Sequence, residues 1–453
     1  MPAPAADVGL PDGPTGSSRL LRLRLLFRPL ECLDQWASAY GDPFCVGRGT
    51  DHPEVYFSHP QAIQDIAMAD PALFEPPRGD RTLRFLLGDH ALRYLSGEPH
   101  QRGRRLLIGP LHGEQMLAQG RSIQAIARDV VGRWRVGQPV RVRVAMQEVT
   151  LRVISKVVFG REEDRRLASL HGTLGSLLED VTKAWTQLRL TRTPAWLPRA
   201  INPWTHVERQ RQAIDDFILD EIRARREARA PGERDMLGVL VAARDVRGEE
   251  LSEQEIRDEV WMLLFAGHET TASALTWVLY CIHRWPDVLE VLGRELETLD
   301  EQAGPEAIAG LPYLAAVCQE TLRLYPGAVG VPKLLRDPLA VMGRRFEPGT
   351  QLVPCAYLTH RRAEIYPEPT SFRPERFLQR QFSPYEFLPF GAGYRRCIGM
   401  QFAQYEMKLV LATILKRWVL TLPESGSMKP VRRGVFAGPP PKLLLVPRTT
   451  VPS

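Results

Sequence analysis

FGAGYRRCIG (residues 390–399) sets one cysteine, Cys397, behind two glycines and two arginines, and the apolar run MQFAQYEMKLVLATILKRW follows at once. Phe402, Met407 and the aliphatic residues of that run recur at helical spacing. Cys397 therefore falls at or just before a helix N-terminus, where free N–H groups and the helix dipole favour a thiolate. Gly391, Gly393 and Gly399 allow positive φ and a close backbone approach to a flat group. Arg395 is placed to pair with a carboxylate.

Three fates compete for such a thiol. A buried, inert cysteine is the commonest. A nucleophile needs a His or Asn partner, and none is identifiable here. An axial ligand to haem iron needs a thiolate, close backbone, N–H donors to the sulfur and an arginine for a propionate. Only the third uses every residue of the loop.

The rest of the 453 residues has the balance of a globular chain, 44% apolar and 25% charged. The cationic excess, 59 against 53, is too small and too dispersed for nucleic acid, and no reading element accompanies it. Six cysteines, at 32, 45, 281, 318, 355 and 397, form no CxxC pair, which argues against a disulfide framework or zinc ribbon and for a reducing, cytoplasmic setting. Residues 1–18 are a Pro/Gly/Ser-rich polar stretch without signal-peptide character. Residues 1–20 are expected to be a loosely ordered tail ahead of a single domain over 21–453. Arg22 and Arg24 interrupt LLRLRLLF, which is too short to span the ~20 residues of a bilayer. No transmembrane anchor is expected.

Helical periodicity dominates, so the fold class is mainly α with a small β-rich region. Strand-like runs joined by turn residues occur in DPFCVGRGTDHPEVYFSH and in RDPLAVMGRRFEPGTQLVPCAY. TPAWLPRAINPW (193–204) is a proline-broken connection, read either as an ordinary loop or as an aromatic cover over a ligand entrance. The longest helix starts at Ser252, which has capping-box spacing with Glu255, and runs to about His283. Its middle, AGHETT (266–271), sets a carboxylate and two hydroxyls between apolar stretches. A buried carboxylate needs a partner. One reading is structural, with Thr270 bonded back to the carbonyl of residue 266 and Glu269 on a buried arginine. The other is a local opening of the helix, with Gly267 leaving room for a bound group and Glu269 and Thr270 relaying protons.

Four stretches in order, AGHETT, ETLRLYP with Glu320 and Arg323, PERF (374–377) and FGAGYRRCIG, make the sequence resemble the cytochrome P450 superfamily of haem-thiolate monooxygenases. The resemblance runs from about residue 30 to the C-terminal end. It implies the cytochrome P450 fold, a large helical domain with a long central helix. It implies Cys397 as proximal ligand of haem b, with Arg395 on a propionate. GEPHQRGRRLL resembles the segment that supplies two further propionate ligands, here His100 and Arg104, on one helix face. Lys333 stands where relatives often carry an arginine. Lysine supplies charge without a bidentate fork, and Arg336 is an alternative. Glu320, Arg323 and Arg376 are expected to form a buried ionic triad that fixes the chain beneath the haem.

The resemblance also implies catalysis by Glu269 and Thr270, with Thr271 as the other hydroxyl, and O2 as cosubstrate. Peroxide-driven relatives typically lack the acid–alcohol pair. No flavin, nicotinamide or iron–sulfur motif is present, so electrons from NAD(P)H are expected through a separate ferredoxin or flavodoxin-type donor with its reductase. Arg121, Arg395, Arg396 and Lys408 are candidates for its docking face. Residues 74–95, with Phe85, Leu86 and Leu87, are expected in the pocket wall. The C-terminal segment looks like a bacterial subgroup associated with fatty acids, alkanes and terpenes, and a terpene or polyketide tailoring role is equally in keeping. The expectation is a monomeric enzyme that hydroxylates or epoxidises a hydrophobic small molecule. The alternatives are a haem-thiolate isomerase or dehydratase, and a haem protein that binds ligand without turnover.

Overall fold

Ser252 starts the longest element as its spacing requires. Its hydroxyl accepts from the Glu255 amide, and the Glu255 carboxylate accepts from the Ser252 amide. The central helix then runs unbroken over Glu253–Arg284, 32 residues or about 48 Å. The computed structural model describes residues 7–76, 81–161, 164–183, 186, 189–190, 193, 202–228, 235–244, 248–300, 303–423, 428–433 and 436–450. Most of the proposed cover, 194–201, lies outside them.

The chain divides into two compact units where the sequence suggested one domain over 21–453. The first comprises Met1–Arg78, Gln319–Cys397 and Lys429–Gly438; the second comprises Gly79–Cys318, Ile398–Met428 and Pro439–Ser453.

The first unit holds the β-rich regions. A four-stranded sheet runs Phe44–Val46, Glu54–Phe57, Gln351–Pro354, Lys333–Leu334, with its two central strands parallel. Its packing includes Phe44 stacked on Tyr56 at 5.2 Å, with the Trp36 edge against Phe44. A second sheet and a helix take in part of the segment expected as a loosely ordered tail over 1–20. Asp7–Val8 pairs in parallel with Arg344 and Arg345, the Cys45 amide donates to the Asp12 carbonyl, and a helix occupies Ser18–Phe27. Backbone pairing to distant strands orders residues that composition alone leaves without a core to join.

Glu320, Arg323 and Arg376 do meet in this unit. Arg323 donates to both Glu320 oxygens (2.6 and 2.8 Å) and Arg376 Nε to one of them (3.1 Å). The remaining Arg323 donors reach the carbonyls of His360, Pro369 and Ser371. His360 carries the connection onward: Nδ1 donates to the Arg323 carbonyl (3.1 Å), and Nε2 accepts from the Leu388 amide (3.0 Å). The ionic triad is thus linked by two hydrogen bonds to the entrance of the 390–399 loop.

In the second unit the central helix packs most extensively on the helix Val142–Phe159 and also on Met400–Leu415. Arg165–Thr182 packs on Pro203–Ala228. Near its start the central helix grips the 88–92 turn: fully buried Asp258 accepts from the His90 amide (2.9 Å) and pairs with Arg257 (2.8 Å). Among the described residues no helix is long and apolar enough to cross a membrane.

Glu320→Ala is expected to destabilise the protein by about 3–5 kcal/mol, because it strands two guanidiniums in the interior. Chemical denaturation of variant and parent measures this directly.

Candidate functional site

Burial singles out one turn of the central helix. From Ile256 to Ile282 every residue is buried except Ala266, Gly267 and Thr270. Ala266 and Thr270, four residues apart, share one face with partly exposed Gly267 beside them, so burial lapses over a single turn. The Thr270 hydroxyl lies there and donates to the Ala266 carbonyl at 2.7 Å.

Glu269 points the other way. It is 1% exposed and accepts from Arg143 (2.7 Å) and the Gln147 amide (3.2 Å), both on the Val142–Phe159 helix. The same Arg143 nitrogen also reaches Glu179 (3.2 Å), whose side chain is 36% exposed. Arg143 itself is 2% exposed. A buried charge needs such a partner, and the sequence did not mark Arg143 as functional.

Two details of the opened-helix reading are corrected. The helix is continuous through AGHETT. At Gly267 an added Cβ would stand 2.8 Å from Ile154, so the glycine admits a neighbouring side chain. Thr271 is buried, off the exposed face. His268 lies behind it: Thr150 Oγ1 is 3.1 Å from His268 Nδ1, and the same hydroxyl donates to the His268 carbonyl. Burial pushes the imidazole down to about 4, with Glu269 opposing the shift and Arg143 and His171 adding to it.

In the first unit the 390–399 loop is a closed turn. The Cys397 amide donates to the Phe390 carbonyl (3.0 Å) and the Arg396 amide to the Gly393 carbonyl (3.0 Å). Gly391 (φ 72°) and Gly393 (φ 74°) hold left-handed backbone, whereas Gly399 does not. A Cβ on Gly393 would run into the Ala67 carbonyl. Cys397 lies three residues before the helix Met400–Leu415.

It is the exposed thiol among six cysteines. Burial pushes the Cys45 thiol up to about 11 and those of Cys318 and Cys355 up to about 12.

A recess in this unit is walled by Ile63, Val331, Pro354 and Leu388, with Lys333 and Arg395 supplying its charge. Lys333 is 8% exposed; its ammonium donates to the Ile66 carbonyl (3.2 Å) and lies over the Phe74 and Tyr394 rings. Burial, then the Arg395 charge, pushes it down to about 8. Among the described residues no carboxylate pairs with it. A buried Lys333 ammonium in an apolar recess suits an anion. Arg336 instead meets Glu75 at 3.4 Å, half-exposed.

In the second unit His100 is buried and Arg104 half-buried, one turn apart on the helix Gly97–Ile108. Lys333 and Arg395 thus share one recess, while Glu269 is buried and the adjacent Thr270, about 100° around the helix, is partly exposed. Leu86 and Leu87 are buried in the core, in contrast to a pocket-wall role. Phe85 is half-buried beneath the Arg211 guanidinium (4.6 Å). Lys408 donates to the Ala309 carbonyl (2.6 Å), so its ammonium is committed internally.

A family model described as Cytochrome P450 matches residues 20–446. The chain belongs to the cytochrome P450 family. Cytochrome P450 135B1 of Mycobacterium tuberculosis is 33% identical over 435 residues, covering 96% of this P450 and 90% of the relative. Cytochrome P450 137 of the same species is 34% identical over 353 residues, covering 76% and 70%. Retinoic acid-bound cyanobacterial CYP120A1 superposes with a TM-score of 0.82 at 25% identity, covering 99% of this chain and 100% of that one. The cytochrome P450DA haem domain gives 0.85 at 24% identity, covering 98% of each. Membership supports monooxygenase activity and implies haem.

The donor set fits that group: an exposed cysteine and an apolar recess carrying the Lys333 and Arg395 charges suit a flat macrocycle bearing two acids.

Neutral His268 gives a pH signature. The folded pKa lies below the unfolded one, so the native state takes up its proton later on acidification, and stability falls between pH 6.5 and about 4. The loss is on the order of 3 kcal/mol. Denaturation across that range should show His268→Leu losing less stability than the parent by about that amount.

Proposed function

We propose that this P450 hydroxylates or epoxidises a hydrophobic small molecule, a fatty acid, terpene or polyketide-like compound, using O2. Electrons reach it from NAD(P)H through a separate ferredoxin or flavodoxin-type donor. The observation that carries the reading is the single exposed turn at Ala266, Gly267 and Thr270 in an otherwise buried helix. Retinoic acid, held by CYP120A1, is an apolar chain with one carboxylate and exemplifies the substrate class.

When bound, haem supplies the oxygen activation and the oxidation of substrate. Cys397 would hold the iron, its loop closed by the Cys397 amide to the Phe390 carbonyl and followed by a helix N-terminus. Lys333 and Arg395 of the first unit, and His100 and Arg104 of the second, are each candidates that would hold a haem propionate.

Thr270 and Glu269 manage protons. With its hydrogen donated to the Ala266 carbonyl, Thr270 Oγ1 turns lone pairs toward open space and can accept from a water there. Glu269 is the carboxylate relay behind it, held by Arg143. It delivers only on leaving Arg143, and the cost of that departure is reduced because Arg143 already contacts Glu179. Glu179, partly exposed, is the solvent end of the route. The protein works as a monomer in the cytoplasm. Half-buried Arg395 and Arg396 in the first unit, and exposed Arg121 in the second, are each candidate contacts for the electron donor.

Cys397→Ser should abolish the red-shifted carbon-monoxide Soret band of the reduced protein; an unchanged band removes Cys397 as ligand. Thr270→Ala should keep that band while product formed per reductant consumed falls by about tenfold, with peroxide appearing instead. Coupling at the parent level would exclude Thr270 from proton transfer.

A further inference from the structure

The backbone around Cys397 is held from both directions along the chain. On its N-terminal side the Cys397 amide donates to Phe390. On its C-terminal side the carbonyl of Ile398 accepts from His112 Nε2 at 2.8 Å, across 286 residues of sequence. The acceptor is a carbonyl, so Nε2 carries the hydrogen, and it does so in both the neutral and protonated imidazole.

His112 is well placed to hold rather than merely touch. It is half-buried in a tight corner: its amide donates to the Gly109 carbonyl, and Pro110 and Leu111 beside it are buried. Gly113 next to it takes φ 57°, and the short helix Gly113–Ala118 follows. The far end of the same corner is fastened to the same long helix. Tyr405 Oη donates to the Leu117 carbonyl (3.3 Å), and a Cβ on Gly120 would collide with Tyr405. The corner also follows directly from the helix Gly97–Ile108 that carries His100 and Arg104.

We propose that His112 is a positioning residue for the haem ligand, fixing the peptide after Cys397 through its Nε2–H bond to the Ile398 carbonyl. The inference rests on the reading of Cys397 as iron ligand. Without the bond, the Ile398 carbonyl loses its fixed direction, and the sulfur one residue away gains freedom to protonate or detach. No titration is involved, because both charge states of His112 donate.

The test uses the haem-loaded protein, reduced under carbon monoxide, in three forms: parent, His112→Leu and His112→Gln. The readouts are the rate at which the red-shifted Soret band converts to the blue-shifted form in mild denaturant, the reduction potential, and the thermal midpoint. His112→Leu should convert about tenfold faster, the kinetic equivalent of losing one buried hydrogen bond. Its potential should shift and its thermal midpoint change little. His112→Gln, which keeps an N–H donor of similar reach, should recover most of the parent's rate. A Leu variant within twofold of the parent in conversion and unchanged in potential overturns the proposal. So does a Gln variant as impaired as Leu, since packing rather than the bond would then be responsible. If the Leu variant takes up no haem, recovery by Gln decides in the same way. A parent that itself shows no red-shifted band refutes Cys397 as ligand, an outcome separate from either.

Discussion

A carboxylate buried halfway along a 32-residue helix has to be neutralised where it stands, and Arg143 at 2.7 Å does this for Glu269. The arrangement of the second unit follows from that pair. Arg143 can reach Glu269 only because Val142–Phe159 lies alongside the central helix, and that approach is close enough to need glycine at 267 opposite Ile154. With Glu269 turned toward Arg143, Thr270 projects about 100° around the helix, where burial is partial. Charge burial and side-chain packing therefore fix which way the helix faces.

The first unit solves a similar problem differently. Glu320 accepts from two arginines and from the Arg373 amide, and Arg323 spends its further donors on three carbonyls. Replacing such a cluster by apolar residues could be neutral for stability, yet it would erase the directional contacts that locate several loops at once. His360 extends those contacts to Leu388, with both ring nitrogens engaged and burial holding its pKa far below the usual imidazole range.

What could be read in the sequence was local. The capping box at Ser252 spans three residues, and both helix ends came within a residue or two of the expectation because their determinants lie next to them. The turn chemistry of FGAGYRRCIG is equally local, and Gly391 and Gly393 take the positive φ that it suggested. Glu320 with Arg323 could be paired from one helix turn. Contacts between distant segments were not legible. Arg143 is 126 residues from Glu269, and His112 is 286 residues from Ile398. Neither residue belongs to a local pattern that distinguishes it from any other arginine or histidine. Gly267 was read as room for a ligand because a missing side chain looks the same from the sequence whether the space is left empty or filled by Ile154. The pairings of Asp7, Val8 and Asp12, within the 1–20 segment expected as a tail, were not legible for a like reason, since their partners lie more than thirty and more than three hundred positions away.

The uneven exposure of the thiols has a practical corollary. Five cysteines sit inside the protein, while the sixth is accessible and adjoins left-handed backbone. An alkylating reagent offered in small excess to the folded polypeptide before pigment is added should mark a single position. The molecule thus supplies its own counter of accessible thiol, read by mass.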